Sequence, residues 1–387
     1  MTSTLGPPTC DVAVVGLGVM GCAAVHDLSC RGKTVHAFEQ FDLGHNRGSS
    51  HGESRAIRMA YFEGPHYVAL LREAYRQWDA FQGPSGALFQ RVGMLEAGYR
   101  GSEMVEGVRS SARLNGLELS SREILTAFPR FRIPDDWDVA FEQNAGYLRP
   151  ELIAAEFLRR ARETGAHIHP QTRVTNIRPR AGGVAVDTSR GTVEAGAVIV
   201  VAGPWMTGKW LEDLLPGLRP RLRLTRQTTA WFQPRRPELF AQMPVFGLEV
   251  AKDEIFYGFP DMTGAGVKVA THARGIELAD ADDPARPATP EDSAPLEAFL
   301  REYIPDAAGP VTQRQTCVYT NTQDGEFLID RLATDPRVVF ASACSGHGYK
   351  FASILGPILA DLSLGDEDRY KRFEISRFAL NRRAPHG

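Results

Sequence analysis

Gly16, Gly18 and Gly21 are spaced G-x-G-x-x-G directly behind a short β-branched run, Asp11 to Val15. The first glycine of such a set allows a tight turn. The second lets a pyrophosphate approach the backbone, and the third lets a helix pack closely on a strand. The helical pattern that follows, from about Met20 to Arg31, would aim its free N–H groups and dipole at the phosphates. A second buried run, Thr34 to Phe38, ends at Glu39, where an acid can bond a ribose hydroxyl. Strand, helix and acid in place predict dinucleotide binding. The plainer alternative is a structural glycine turn beside a solvated Glu39, and the motif alone does not separate FAD from NAD.

Other chemistry-bearing residues gather in short segments. The run Gly48 to Arg58 carries Ser50, His51, Arg55 and Arg58. An arginine fork can hold a carboxylate through two parallel bonds. Lys268 sits in the strand-like Gly266-Val267-Lys268-Val269-Ala270-Thr271-His272, and Cys317 in Thr316-Cys317-Val318-Tyr319-Thr320. A thiolate is a nucleophile, although composition alone favours a small buried thiol. Gly346, His347, Gly348 and Lys350 follow a buried run and precede the last long helix. Backbone N–H groups at such a point can stabilise negative charge, or the glycines can serve backbone angles only. For the arginines and lysines, solvated surface positions are the bland alternative.

Elements able to position these residues can be read around them. Strand-like runs are Leu88 to Met94, His167-Ile168, Val174 to Ile177, Val184 to Val186, Ala197 to Ala202, Leu222 to Phe232, Glu254 to Phe259 and Val338 to Ala343. Ala197 to Ala202 is apolar throughout, as in a strand covered on both faces. Helical spacing marks Pro65 to Phe81, Glu151 to Thr164, Ser293 to Ile304 and a stretch ending near Leu364, while 43–54 and 279–290 read as loops. Nucleotide-binding elements stand at both ends with strand-rich material between. The predicted class is α/β (α+β overall), a Rossmann-type dinucleotide domain with a discontinuous, mixed-sheet substrate domain.

Composition narrows the partners. The 387 residues are 43% hydrophobic and 24% charged, ordinary for a globular chain with a sizeable core. A net charge of −3 gives no reason to expect nucleic acid or an anionic membrane. No run approaches the ~18 apolar residues of a membrane span. The first ten residues lack a basic region followed by an apolar run, which argues against a secretory signal. Cys10, Cys22, Cys30, Cys317 and Cys344 form no CxxC pair, so neither a disulfide framework nor a zinc ribbon is expected, no metal is implied, and a cytoplasmic setting fits.

The segments 48–58, 316–320 and 345–351, together with the glycine fingerprint, resemble in order and spacing the monomeric sarcosine oxidase and N-methyltryptophan oxidase family, within the glycine-oxidase-like amine-oxidising flavoproteins. The resemblance extends from about Asp11 to about Leu380. It implies FAD, attached through its 8α-methyl carbon to Cys317, with Gly16, Gly18, Met20, Gly21, Glu39, Ser50, His51, Arg55, Val174, Gly346, His347, Gly348 and Lys350 near the cofactor. It implies Arg58 and Lys350 as carboxylate-binding cations, Arg55 by the flavin ring, and Tyr257, Tyr319 and His272 around the substrate. Lys268 resembles the lysine that promotes reaction with oxygen. A FAD-binding domain over 10–85, 146–215 and 325–387 and a substrate domain over 86–145 and 216–324 are expected, in a monomer. Met59, Phe62 and Val318 depart from the family pattern, pointing to a cavity of different shape, which bears on sarcosine as the substrate more than on the reaction type.

The expected reaction oxidises the C–N bond of a secondary amine or an N-methyl or cyclic amino acid, giving an imine, with O2 reduced to H2O2. A flavin dehydrogenase using another acceptor, a biosynthetic imino-acid oxidase acting on a cyclic substrate, a nicotinamide-dependent dehydrogenase and a noncatalytic nucleotide-binding protein are the competing readings. Peroxide yield, protein colour and bleaching by amines distinguish them.

Overall fold

The computed structural model describes residues 10–272, 275–283, 287–366 and 368–382. The amino-terminal residues read against a secretory signal, and 284–286 of the expected 279–290 loop, lie outside them. The fold is mixed α/β, with two eight-stranded sheets and one three-stranded sheet.

The first sheet runs in the order Leu328–Leu332, Asp335–Ser342, Gly191–Val200, Cys10–Val15, Val35–Phe38, His167–His169. Its central pairings are parallel, while Gly183–Thr188 and Val174–Arg180 add antiparallel strands beside Gly191–Val200. The βαβ unit forms as its sequence requires. Cys10–Val15 is buried apart from Asp11, and Gly18 caps the helix Val19–Cys30 in an extended conformation. That helix is buried on most sides because a second, almost wholly buried helix, Ala352–Leu364, packs against it. Contact is so close at Gly356 that a Cβ there would lie 2.4 Å from Ala23 Cβ.

The second sheet has the order Ile276–Leu278, Leu222–Phe232, Val267–His272, Glu254–Phe259, Val245–Ala251, Met94–Gly98, Asp138–Glu142. Val311–Thr322 pairs along the outer side of Leu222–Phe232, with Cys317 opposite Gln227. The small sheet, Arg55–Ile57, Gly146–Leu148 and Phe89–Gln90, sits between chain segments that feed both large sheets.

Three sequence expectations change. The expected strand Leu88 to Met94 is two strands in different sheets, Phe89–Gln90 and Met94–Gly98. Gly93 breaks it, with φ +77 and the Phe141 ring where a Cβ would stand, 2.3 Å away. The apolar run Ala197 to Ala202 begins as the end of a longer strand, Gly191–Val200, whose more polar first half pairs antiparallel with Gly183–Thr188. The helix Glu103–Asn115 was not read from the sequence. It nevertheless carries both of its boundary residues, Ser102 accepting from Val105 N–H at 3.1 Å and a left-handed Gly116 at its end.

Among the described residues no helix is long and apolar enough to cross a membrane. The five cysteines are free, and no group of three or more His, Cys, Asp or Glu among the described residues could hold a metal ion.

The glycine turn makes a graded prediction. A Cβ on Gly21 would lie 1.9 Å from the backbone oxygen of Gly16, whereas one on Gly18 meets only Ser50 Oγ at 3.3 Å. Gly21→Ala should therefore cost about 3 kcal/mol or more of stability in denaturant unfolding, and Gly18→Ala less than about 1 kcal/mol.

Candidate active site

A single cavity extends from the glycine turn across both large sheets. Of the three departures from the family pattern Phe62 lines it, while Met59 and Val318 do not; every expected cofactor or substrate residue lines it except Gly21, which packs under the turn, and His51, within the 48–58 loop. His51 is buried there, with Nε2 3.2 Å from Gly48 O, and burial followed by the Arg55 charge depresses its pKa to about 4.

At the dinucleotide end, Gly16 has φ +97 and a Cβ would stand 2.6 Å from Val201 O, so only glycine fits. Glu39, at the end of Val35–Phe38, accepts from Leu17 N–H at 3.0 Å and Phe41 N–H at 3.1 Å. One carboxylate thus ties the turn to the neighbouring strand. Ser50 Oγ accepts from Val19 N–H at 3.0 Å, bringing the 48–58 loop over the helix start.

The loop is pinned from several sides. Glu151, in the first turn of helix Pro150–Glu163, accepts from Gly52 N–H at 2.5 Å and Glu53 N–H at 3.1 Å. This fixes Glu53 at φ +65, an uncommon conformation for a residue with a side chain. Lys268 Nζ donates to Gly52 O at 2.5 Å, Ser54 O at 3.2 Å and Ser54 Oγ at 3.2 Å. Burial, and then the nearby Arg55 charge, pull its pKa down to about 7. Arg55 donates to Ser54 O at 2.7 Å and Ser49 O at 2.8 Å. Burial raises the Cys317 thiol pKa, while the Arg55 and Lys268 charges act in the opposite direction. Thiol, guanidinium and ammonium thus form one neighbourhood with Tyr257 and Tyr319, whose hydroxyls burial also pushes up, Tyr257 to about 12.

The Gly346–Gly348 turn differs from expectation. The long helix starts only at Ala352, after a short 3-10 turn over Tyr349–Phe351. The N–H groups of His347 and Gly348 donate to Cys344 O at 2.8 and 3.0 Å, so the turn uses them internally. Gly346, at φ +76, gives room to Tyr319, whose ring would lie 2.4 Å from a Cβ.

The far end is ionic and deeply buried. Arg58 Nη2 donates to both Glu63 oxygens, at 2.9 and 2.8 Å, and its Nε lies 3.2 Å from Glu96 Oε1. Burial pushes the Glu63 carboxyl up, but Arg58, Lys350 and nearby histidines outweigh it and hold the pKa at about 2. At Glu96 burial wins over Arg58, and the pKa rises to about 8. His347 Nε2 lies 2.9 Å from Gly325 O and must donate to it, so Nδ1 accepts from Tyr61 OH at 2.8 Å. Burial, led by desolvation, keeps this ring neutral with a pKa of about 4. Lys350 Nζ donates to Tyr61 OH at 3.2 Å and His347 O at 2.8 Å, and burial, then Arg58, bring its pKa to about 7. His272 lies edge-on to Phe62 and Tyr257 and tilted to Tyr319, at 6.2, 6.4 and 6.1 Å between centroids.

Sequence reasoning missed Tyr61, Glu63, Glu96 and Glu151. Glu96 carried a usable signal, a lone acid inside the apolar strand Met94–Gly98. Glu63 lies five residues past Arg58 in an irregular loop, where no periodicity exposes a pairing.

A parallel βαβ unit with a glycine turn, opening into a cavity that ends in buried cations, defines a dinucleotide-binding α/β enzyme architecture. The match to known proteins is more specific. Residues 11–362 match the model of the family described as FAD dependent oxidoreductase (DAO). The chain is 36% identical over 370 residues to a monomeric sarcosine oxidase of Streptomyces avermitilis, covering 92% of this chain and 94% of that protein. It is 34% identical over 379 residues to an N-methyl-L-tryptophan oxidase of Yersinia pestis, covering 96% and 99%. Among solved structures, the open form of NikD, an unusual amino acid oxidase essential for nikkomycin biosynthesis, superposes with a TM-score of 0.82 at 22% identity, covering 98% and 99%. Glycine oxidase from Geobacillus kaustophilus gives 0.78 at 20% identity, covering 97% and 99%. The chain belongs to the FAD dependent oxidoreductase family.

The Arg58–Glu63 pair can be tested as a unit. Arg58→Ala strands a buried carboxylate and should cost about 3–5 kcal/mol. Adding Glu63→Ala should recover more than half of that loss in a denaturant-unfolding cycle. Additive losses would mean that the two side chains are not coupled.

Proposed function

We propose that this protein is an FAD-dependent oxidase of a secondary amine or an N-methyl or cyclic amino acid. The observation that carries the reading is the single cavity joining the glycine turn to the buried cations Arg58 and Lys350. The residues present fit FAD. Gly16 and Gly18 leave bare backbone where a pyrophosphate would lie, and Glu39 stands at the ribose position. Thr320 Oγ1 and Ser342 Oγ are buried without a hydrogen-bond partner on residues lining the cavity, as polar atoms facing a polar ligand would be. Met20, Ser50, Val174 and the Gly346–Gly348 turn would complete the FAD contacts, with 10–85, 146–215 and 325–387 as the cofactor domain and 86–145 and 216–324 as the substrate domain.

When bound, FAD supplies the acceptor for the hydride equivalent removed beside nitrogen and passes the electrons to O2, giving H2O2. The protein's part is orientation and field. Arg58 would exchange Glu63 for the substrate carboxylate, with Lys350 as the second cation. Positive charge at this end favours the neutral, reactive form of the amine. Tyr257, Tyr319 and His272 wall the space where the reacting carbon would sit. Arg55 and Lys268 supply positive charge where negative charge would develop during oxygen reduction. Cys317, with both cations beside it, is the candidate thiolate for covalent attachment of FAD. A cytoplasmic monomer is the reading for the whole protein.

Acid precipitation tests the attachment. Yellow flavin should stay with wild-type polypeptide and wash off Cys317→Ser; loss from wild type would leave a noncovalent enzyme. An amine panel should then bleach the flavin anaerobically, with one peroxide per turnover in air. Bleaching without peroxide would favour the dehydrogenase, and no bleaching by any amine would overturn the reading.

Lys268→Met should slow the reaction of the reduced enzyme with oxygen on the order of a hundredfold. The same variant reports on burial. The folded pKa of Lys268, about 7, lies below its ordinary value of 10.5. Its charge therefore opposes folding fully below pH 7, and that opposition fades as pH rises toward 10.5. Whatever constant cost the lost hydrogen bonds impose, the melting temperature of Lys268→Met relative to wild type should rise as pH falls from 10 to 7. A pH-independent difference would refute the shift.

A further inference from the structure

Arg58 does not account for every charge at the far end of the cavity. Glu96 is 1% exposed and lines the cavity. Its Oε1 faces Arg58 Nε at 3.2 Å but out of line, so neither atom makes a hydrogen bond. A buried carboxylate oxygen without a donor is costly, and native structures retain few of them. The sheet shows what lies in front of it. Tyr257, Gly247 and Glu96 are register partners on three successive strands, and all three line the cavity. Register partners point to the same face, so the row runs from the tyrosine, across a residue with no side chain, to the acid. A Cβ on Gly247 would meet nothing nearer than Met94 Cε at 3.7 Å and Glu96 Cγ and Met104 Sδ at 3.8 Å. The glycine thus leaves open a shallow trough walled by two adaptable thioethers. Two strand spacings, ~10 Å, separate the Tyr257 strand from the Glu96 strand.

We propose that Gly247 and Glu96 form a side-chain subsite, and that the substrate is an amino acid whose side chain crosses Gly247 and ends in a hydrogen-bond donor, an amino group above all, bonded to Glu96. This rests on the amine-oxidase reading above and deepens it. The charge balance selects the amino group. A substrate carboxylate that takes Arg58 from Glu63 adds a second negative charge beside Glu63, next to Glu96 and Glu142, whose carboxyls burial already holds above their usual range. A cation at the end of the side chain offsets that charge and keeps Glu96 ionised. Without such a partner, burial first and then the neighbouring Glu142 and Glu63 raise the carboxyl pKa to about 8 despite Arg58. An alkyl terminus leaves the oxygen unbonded, and a second carboxylate would repel it.

The test uses the flavin-loaded enzyme and three Nα-methyl amino acids of matched length, Nα-methylornithine, Nα-methylnorleucine and Nα-methylglutamate. Wild type should favour the ornithine compound over its norleucine isostere by tenfold or more in kcat/KM, with the glutamate compound poorest. Glu96→Gln should shrink the preference to about threefold, and Glu96→Leu should abolish it. Gly247→Met, which fills the trough but leaves the carboxyl group in the chain, should lower kcat/KM for the ornithine compound at least tenfold more than for Nα-methylalanine. Anaerobic calorimetry with the same compounds reads binding apart from turnover. Equal turnover of all three by wild type, or an unchanged preference in Glu96→Leu of normal flavin content, overturns the subsite while leaving the oxidase reading intact. Ornithine-selective binding that Glu96→Leu removes, without any flavin bleaching, supports the subsite and overturns the oxidase reading. Absence of both binding and bleaching overturns the two together.

Discussion

A buried ammonium group must find oxygen acceptors, and Lys268 finds three of them in Gly52 and Ser54. Those acceptors belong to the loop that follows the first βαβ unit, whereas Lys268 belongs to the middle of the second large sheet. The bond therefore sets the loop's height above that sheet. Arg55 and Arg58 lie within six residues of Gly52, and their directions follow from it. Glu151 fixes the same loop from the opposite side by accepting two of its N–H groups, and Ser50 reaches from its start to the helix behind the glycine turn. The glycine-turn end of the cavity, the Cys317 neighbourhood and the Arg58 end are thus placed by one short irregular segment held at three points.

The two ends of the cavity solve different electrostatic problems. At the dinucleotide end a single acid, Glu39, is bonded by backbone N–H groups and braces the turn. At the far end several charged side chains share a nearly dry volume, and their pKa values are driven apart: Glu63 toward 2, Glu96 toward 8, Lys350 toward 7. Arg58 Nη2 bonds both Glu63 oxygens while its Nε reaches Glu96 only out of line; Lys350 and the histidines add to the pull on Glu63, whereas burial and the acids Glu142 and Glu63 prevail at Glu96. Such separation is typical of sites that exchange partners with a ligand, since a fully satisfied network would have no reason to open.

This contrast also explains what was legible in the sequence. The glycine turn, its strand and helix, and Glu39 are local in the chain, so spacing alone exposes them. Cys317, Lys268, Lys350 and the arginines were picked out through short motifs, and the fold brings them to one cavity. Glu63, Glu96 and Tyr61 escaped because their importance comes from partners chosen by tertiary packing: Arg58 across a loop, Gly247 in the next strand, His347 far along the chain. The Phe89–Gln90 and Met94–Gly98 strands were merged for a related reason. Both carry strand-forming residues, and only the left-handed Gly93, pressed against Phe141, sends them to different sheets. His51, picked out by the same motif, is buried within the loop against Gly48 and Gln315 and does not line the cavity.

Burying this much charge has a consequence for the scaffold. Each unpaired or partly paired ion in the cavity lowers stability, and the surrounding core must offset it. The helix pair Val19–Cys30 and Ala352–Leu364 does so with apolar contact so close that glycine is required at Gly356, and aromatic packing around Tyr67, Phe327, Phe351 and His347 closes the turn from below. His347 belongs to both systems. Its ring stacks on Phe327 and is oriented by Gly325 O at Nε2, while its Nδ1 fixes Tyr61 and, through Tyr61, the position of Lys350. The rigidity of the apolar core is thereby transmitted to Lys350, which unlike Arg58 has no carboxylate hydrogen-bonded to it, and its ammonium group is held in place by Tyr61 and the His347 carbonyl.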